Sequence, residues 1–475
     1  MPTIRLYNSL TRRVQALGRT EEAVRIYHCG PTVYKRPHLG NLRRFLFADF
    51  LGRGLDFLGY RVRQVMNITD VGHLSQDELE AGEDKLEMAA RQQHLTPPQV
   101  AERVSAQFFA DLSALHIKPA DEYPRATDHI AEMQALISRL LRRGHAYKTS
   151  SGVYFDVRSW PKYGQLSGNT VETIEAGARV AIREEKRHPA DFALWKINDP
   201  SHLQQWASPW GRGYPGWHIE CSAMSMKYLG ESIDIHTGGE DNKFPHHENE
   251  IAQSEGATGA TFARFFLHNG LLRMAGVKLA KRAGELVTLD TVRERGYEPL
   301  AFRLLVFGCH YRSPLDFSWH AMDQATANLR AFRSLGRRLV EAAPNKSRAA
   351  EVEGDVTTRF GAALADDLNT PAALAGVMDY VRGVNSLLAG KPAPAQIGGV
   401  WATLTAFDQL LGIFRPLYDE LLAETAPPAV IALTRQRETA RAAADFVSAD
   451  RLRQQIEQAG WLVEDTPAGP RLIKS

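Results

Sequence analysis

One stretch near the start of the chain restricts the architecture more than any other. Val24-Arg-Ile-Tyr-His28 reads as a short strand that ends at Cys29-Gly-Pro-Thr32, a turn composition. A helical pattern follows from Asn41 to about Gly59, with Phe45, Phe50 and Leu51 among its apolar positions. Arg63-Gln-Val-Met-Asn-Ile-Thr69 then reads as a second strand. Two strands joined through a helix need a crossover and pair in parallel, whereas a tight turn would make them antiparallel. An α/β domain around a parallel sheet is therefore expected.

The rest of the chain is organised around that unit. With 475 residues, roughly three domains are expected. Gln76 to Ile117 looks mostly helical, broken at Pro97-Pro98, and Val153 to Val157 looks like a strand in an inserted region. Ile233-Asp-Ile-His236 is another short strand; it runs into Thr237-Gly-Gly-Glu-Asp241 and then a helix opened by Pro245. From about Pro299 the texture becomes helical, with amphipathic runs at Ala321 to Ala342 and Glu351 to Ala365. Lys391 to Ala395 reads as a surface linker, and Thr425-Ala-Pro-Pro428 as a boundary. An Arg-rich helix, Thr434 to Ala459, and strands at Trp461 to Val463 and Arg471 to Ile473 close the chain.

Composition excludes several classes. Hydrophobic content of 44% and charge of 24% suit a globular protein, and a net charge of +2 gives no global field for nucleic acid. Three cysteines exclude a disulfide framework and fit a reducing compartment. The first residues hold no apolar signal core, and no run approaches the roughly 18 apolar residues of a membrane span. A cytoplasmic location is expected.

Two clusters carry chemistry. Gly30 and Gly40 flank the turn between the first strand and its helix, where free backbone N–H groups favour an anion. His38 and Asn41 add side-chain donors there, and Lys278 and Lys281, three apart on a glycine-flanked loop, can meet charge on a leaving pyrophosphate. Taken singly, these are also an ordinary helix entry and a solvated loop. The second cluster is Cys29, Cys221, His246 and Glu250, a sulfur, nitrogen and oxygen set of the kind zinc takes. His246 and Glu250 lie four apart on an expected helix. The carboxyl ends of parallel strands share a crevice, so distant cysteines can converge. His247 and Glu248 remain alternative ligands, and buried cysteines are also ordinary small hydrophobes, the reading adopted for Cys309.

Together these residues resemble the cysteinyl-tRNA synthetase family of class I aminoacyl-tRNA synthetases. The resemblance runs from about Arg25 to the C-terminus. It includes Tyr27-His-Cys-Gly-Pro-Thr-Val-Tyr34, His38-Leu-Gly-Asn41, Met66 to Asp70, Tyr163 to Gly168, Asp191 to Lys196, Gly216 to Met224, Phe244 to Ser254, His310 to Pro314, Asp366 to Pro371 and Asp465 to Pro467. It implies a Rossmann-like catalytic domain, residues 1–117 and 214–298, with an inserted connective region at 118–213. A tRNA-binding helical bundle at 299–424 and a small anticodon-binding domain at 429–475 would follow. It implies one zinc ion on Cys29, Cys221, His246 and Glu250. His38, Asn41, Lys278 and Lys281 would be catalytic, and ATP with Mg²⁺ would contact Gly30, Thr32, Gly40, Gly238, Gly239, Asp241 and Lys281. Trp217, His218 and His247 would border the amino-acid pocket. The second signature departs from the family's Lys-Met-Ser-Lys-Ser: here it is Lys278-Leu-Ala-Lys-Arg282, with both serines gone and Glu285 in place of the usual Asn.

The implied reaction is activation of L-cysteine by ATP to cysteinyl-adenylate, then transfer to tRNA(Cys), by a monomer. No membrane partner is expected. Arg435, Arg437, Arg441, Arg451 and Arg453 supply cations for RNA on the expected Arg-rich helix. Two other readings are a cysteine ligase acting on a small amine and a non-catalytic RNA-binding relative. Adenylate formation without tRNA charging would indicate the first, and absence of adenylate the second.

Overall fold

A four-stranded parallel sheet carries the site. Its parts follow in chain order as β1 (Val24–His28), α1 (Leu39–Phe57), β2 (Val62–Met66), α2 (Trp217–Leu229), β3 (Ile233–Gly239), α3 (Glu248–Thr258) and β4 (Ala263–Asn269). The strand order is β4-β3-β1-β2, every pair parallel, with Ile26 facing Ile235 on one side and Gln64 on the other. The apolar residues Val24, Ile26 and Tyr27 are all buried, as expected of a strand covered on both faces. β1 leads through α1 to β2 on one side while β3 pairs on the other. The strand order therefore reverses between β1 and β3, and their carboxyl ends open a crevice there.

This is a computed structural model, and it describes residues 2–19, 21–76, 81–171, 185–197, 202–274, 277–278, 287–342, 352–390, 392–423, 426–443, 445–466 and 469–474. Between β2 and α2 sits a four-stranded antiparallel sheet, ordered 213–215, 192–197, 152–155, 146–148. The helix Ile130–Arg142 turns its stripe of Met133, Leu136, Ile137 and Leu140 inward, at the three- and four-residue spacing of an amphipathic helix. Beyond β4, helices Pro299–Phe307, Trp319–Ala342, Gly354–Ala365, Thr370–Ala389, Pro394–Leu411 and Phe414–Ala423 share one apolar core with α1. Arg303 joins these parts from full burial. It pairs with Asp49 on α1 at 2.7 Å and donates to the carbonyls of Leu115 (3.0 Å) and Leu410 (3.1 Å), at the ends of two other helices. A last module has its own small core of Ala426, Val430, Ile456, Trp461 and Val463.

Several sequence expectations need correction. The break expected at Pro97-Pro98 is present, with Pro97 opening the helix Pro97–Ala114 after Lys85–Gln93 ends, while Pro394 opens a helix within the expected linker. The expected helical run from Gln76 instead begins as a hairpin of Leu74–Gln76 and Ala81–Asp84. Pro245 does not open α3: residues Lys243–His247 form a wider turn first, because Phe244 is extended. The Arg-rich helix is two helices, Pro428–Ala442 and Phe446–Gln458, the second capped by Asp445, which accepts from the Ser448 N–H.

Candidate metal centre and nucleotide cleft

Cys29 leaves the end of β1 at the switch point, its N–H bonded to the Thr237 carbonyl of β3 at 3.1 Å. Cys221 is the fifth residue of α2, His246 lies in the turn before α3, and Glu250 lies in the first turn of α3. One ligand atom from each of these four falls within 4.8 Å of the others, and all four residues are buried. His246 Nε2 is 3.1 Å from Glu250 Oε1, and Cys29 Sγ lies 3.8 Å from the same oxygen. Two sulfurs, one imidazole and one carboxylate form a donor set that fits a zinc-type ion. All four donors are buried, unlike the exposed acidic groups that commonly gather without a metal.

The histidines around the cluster hold it in place. His236 on β3 bonds Glu250 Oε2 at 2.9 Å through Nε2 and the Tyr27 carbonyl at 3.0 Å through Nδ1. His218 Nδ1 meets His246 Nδ1 at 2.8 Å. His247 contacts Cys29 Sγ at 3.2 Å and His268 at 2.9 Å, and His268 bonds Ser9 Oγ at 2.8 Å. Cys29, His236, His247 and Glu250 also converge within 4.8 Å, but that set has a single sulfur. Such outer partners orient ligands. His236, His268 and Ser9 were missed in the sequence, since nothing in their spacing ties them to a ligand. Glu248 is excluded as a ligand: its carboxylate accepts from Ser167 N–H and Oγ at 2.8 Å and from Leu166 N–H at 3.2 Å, facing the inserted region.

The charges fit a cation. Burial opposes a thiolate at Cys29, yet the bond from Cys221 and the charges of His247, His246 and His236 pull its pKa well below the ordinary value. The same bond, together with burial, pushes Cys221 well up. Burial also works against charge on His246, but Glu250 and Cys29 outweigh it and raise its pKa. The two sulfurs thus share one proton, which a metal would release on binding both as thiolates.

The cluster opens into a cavity of about 460 Å³ lined by Thr32, Asn41, Trp217, Asp241 and His246, among others. Trp217 packs against His246 with ring centroids 4.5 Å apart and the rings tilted by 36°. A smaller space of about 120 Å³ adjoins it, lined by His38, Gly40, Asn41, Gly239 and Asp241. His38 and Asn41 form the cap of α1: Asn41 N–H donates to His38 Nδ1, and His38 N–H donates to Asn41 Oδ1, each at 3.2 Å. Two glycines are needed for close approach. A Cβ at Gly30 would stand 1.6 Å from the Asn67 carbonyl oxygen, and one at Gly238 2.7 Å from His247. The Gly30 N–H is bonded to Asn67 Oδ1 at 2.8 Å, so it does not point outward to an anion as the sequence suggested. Arg44, one turn beyond Gly40, lines both spaces; its guanidinium reaches Asn242 Oδ1 and the Gly30 carbonyl, a placement that no motif in the chain signals. Lys278 lies in the short strand Val277–Lys278, paired with Leu272–Met274; its side chain, Lys281, Arg282 and Glu285 lie outside the described residues.

Residues 16–327 match the class I (C) tRNA synthetase catalytic domain, and residues 359–415 match the DALR domain. A cysteine–tRNA ligase of Chlorobaculum tepidum is 41% identical over 99% of this chain and 98% of its own. One from Thermus thermophilus is 43% identical over 98% of each. Among solved structures, a Mycobacterium tuberculosis methionyl-tRNA synthetase with methionyl-adenylate is similar in fold, with TM-score 0.57 and 15% identity over 85% of this chain and 92% of that one. On a match to the catalytic domain across most of the chain and to full-length relatives at this identity, the chain belongs to the cysteine–tRNA ligase family.

Proposed function

We propose that Cys29, Cys221, His246 and Glu250 hold one zinc ion at the floor of the cleft, and that this site selects L-cysteine for attachment to tRNA(Cys). The observation that carries the reading is the convergence of four buried donor atoms beside Trp217 at the end of a nucleotide-sized cavity. The bound ion supplies a soft Lewis-acidic position for a substrate thiolate. Serine differs from cysteine by one atom, and shape alone separates near-isosteres by only about 1–3 kcal/mol. The sulfur-rich pocket therefore accounts for discrimination without a second, hydrolytic site.

Trp217 walls the side-chain end, and His236 and His218 fix the orientation of Glu250 and His246. His38, Asn41 and Asp241 border the smaller space, where the ATP phosphates and ribose would lie with Mg²⁺. Activation then joins the cysteine carboxylate to the α-phosphate and releases pyrophosphate. Transfer joins the acyl carbon to a terminal tRNA hydroxyl and releases AMP. Neither step needs a strong side-chain base; placement and charge stabilisation suffice. Lys278 and Lys281 are assigned to the departing pyrophosphate on their charge and spacing.

Metal analysis and cysteine-dependent pyrophosphate exchange test this together. The intact protein is expected to carry about one zinc per chain, and Cys221→Ser is expected to lose both the ion and exchange. Full exchange in a metal-free Cys221→Ser protein would overturn the assignment.

A further inference from the structure

The mouth of the larger cavity carries two cations that the chemistry above does not use. Lys35 leaves the turn after β1, and Lys85 begins the helix Lys85–Gln93. Their ammonium groups stand 5.4 and 5.9 Å from the centroid of the Tyr34 ring, within cation–π range. All three residues line the 460 Å³ cavity that ends at Trp217 and His246. Neither lysine is paired with a carboxylate among the described residues. Their neighbour Arg36 is different: Asp111 binds its Nε at 3.0 Å and Asp290 binds its Nη1. Burial, and then the charge of Lys85, hold the pKa of Lys35 below its ordinary value. Two like charges gathered over one ring without a counter-ion are stabilised by an incoming anion.

We propose that Lys35 and Lys85 form a phosphate site that receives the phosphodiester backbone of the single-stranded 3′ end of tRNA as it enters the cleft. The inference rests on the ligase reading above. The shared chemistry is a phosphate oxyanion, which the ATP triphosphate could also supply. The Tyr34 ring beside both lysines favours the RNA. The lysines are absent from the smaller space beside His38 and Gly40, and line only the cavity that reaches the amino-acid end. That cavity runs from Asn41 at the cap of α1 to Trp217 and His246, so the test below separates the strand from the triphosphate as the source of the anion. A cationic surface with an aromatic platform is the common means of holding a single strand without reading its sequence.

The test uses the full-length protein with Lys35→Ala, Lys85→Ala, both together, and both lysines changed to Arg. Pyrophosphate exchange, which needs no tRNA, is read beside transfer of cysteine to tRNA. Each Ala substitution is expected to lower kcat/KM for tRNA by about fivefold, through KM, with exchange kept. Each phosphate contact on a single strand adds about 0.7 to the slope of log affinity against log salt, so the double Ala variant should be shallower by about 1.4. The double Arg variant should restore both. Equal losses in exchange and transfer would assign the lysines to the triphosphate and overturn the proposal, as would unchanged kcat/KM and slope. Absence of exchange in the unsubstituted protein would instead overturn the ligase reading.

Discussion

Single atoms decide how closely the sheet ends approach each other around the cleft. At Gly30 a methyl group would meet the Asn67 carbonyl at 1.6 Å, a backbone atom that cannot swing aside. Gly30→Ala is expected to cost about 2–3 kcal/mol in urea unfolding, because the turn and β2 must part. Gly376, inside the helix Thr370–Ala389, is the contrast, with nothing within 4 Å of the same added atom. Gly376→Ala is expected to raise stability by about 0.5–1 kcal/mol, since the helix loses only the entropic penalty of glycine. Equal effects at the two sites would contradict the geometry around Gly30. Cys29, Cys221, His246 and Glu250 were readable as a candidate donor set from residue type, but spacing left His247 and Glu248 open beside them, and only the family resemblance implied the choice. His236 was not readable, because it acts through Glu250 and reads in sequence as one more residue of a buried strand. Arg44 was hidden for a related reason, since an arginine on a helix has a solvated face as its ordinary reading.

Elements were legible where one local rule governs them. β1 and α1 were read from a short apolar run bounded by a turn and from the helical spacing of Phe45, Phe50 and Leu51, and the structure has both. Prolines marked boundaries: the break read at Pro97-Pro98 falls between the helices Lys85–Gln93 and Pro97–Ala114, whereas the linker read at Lys391 to Ala395 already holds Pro394 in a first helical turn, where its missing N–H costs nothing. The Arg-rich segment failed differently. Its arginines read as one cationic face, but Arg437 is buried and bonds Asp465 on the closing hairpin through both terminal nitrogens, at 2.8 and 2.9 Å. That clasp fixes a pH response. The hydrogen bond from Arg437, then its charge and that of Arg441, hold the Asp465 pKa below the ordinary carboxylate value. A depressed carboxylate stabilises the fold fully above its unfolded pKa, near ~3.9, and stops doing so as pH falls through the folded value. Asp465→Asn should therefore destabilise this module at pH 7, read through Trp461 fluorescence, and the difference should close below about pH 4. A difference that persists undiminished into acid would show that the clasp acts by shape and not by charge.

At the scale of the whole molecule, separate cores suggest separable tasks. One apolar core runs from the N-terminal strand Arg5–Asn8 through α1 into the helices beyond Pro299. A second joins the inserted region to α2, α3 and β4, and Cys29 and Cys221 belong to it. The cleft lies where the two meet, so the nucleotide and metal ends stand on different cores. The C-terminal module shares neither. Its own core has five buried residues, and it exposes Arg435, Arg451, Phe446 (63%) and Val447 (84%). Cations beside exposed apolar side chains suit RNA contact, and none of them is among the described residues that line the cleft. Removing residues 426–475 should leave cysteine-dependent exchange within about twofold of the full chain. The same truncation should lower kcat/KM for tRNA by roughly tenfold or more, a loss of at least about 1.4 kcal/mol. Exchange reads the catalytic half and charging reads both, so their ratio isolates the module. If the two fell together, the module would be supporting the catalytic fold. If neither fell, RNA recognition would rest entirely on the helical bundle and the cleft.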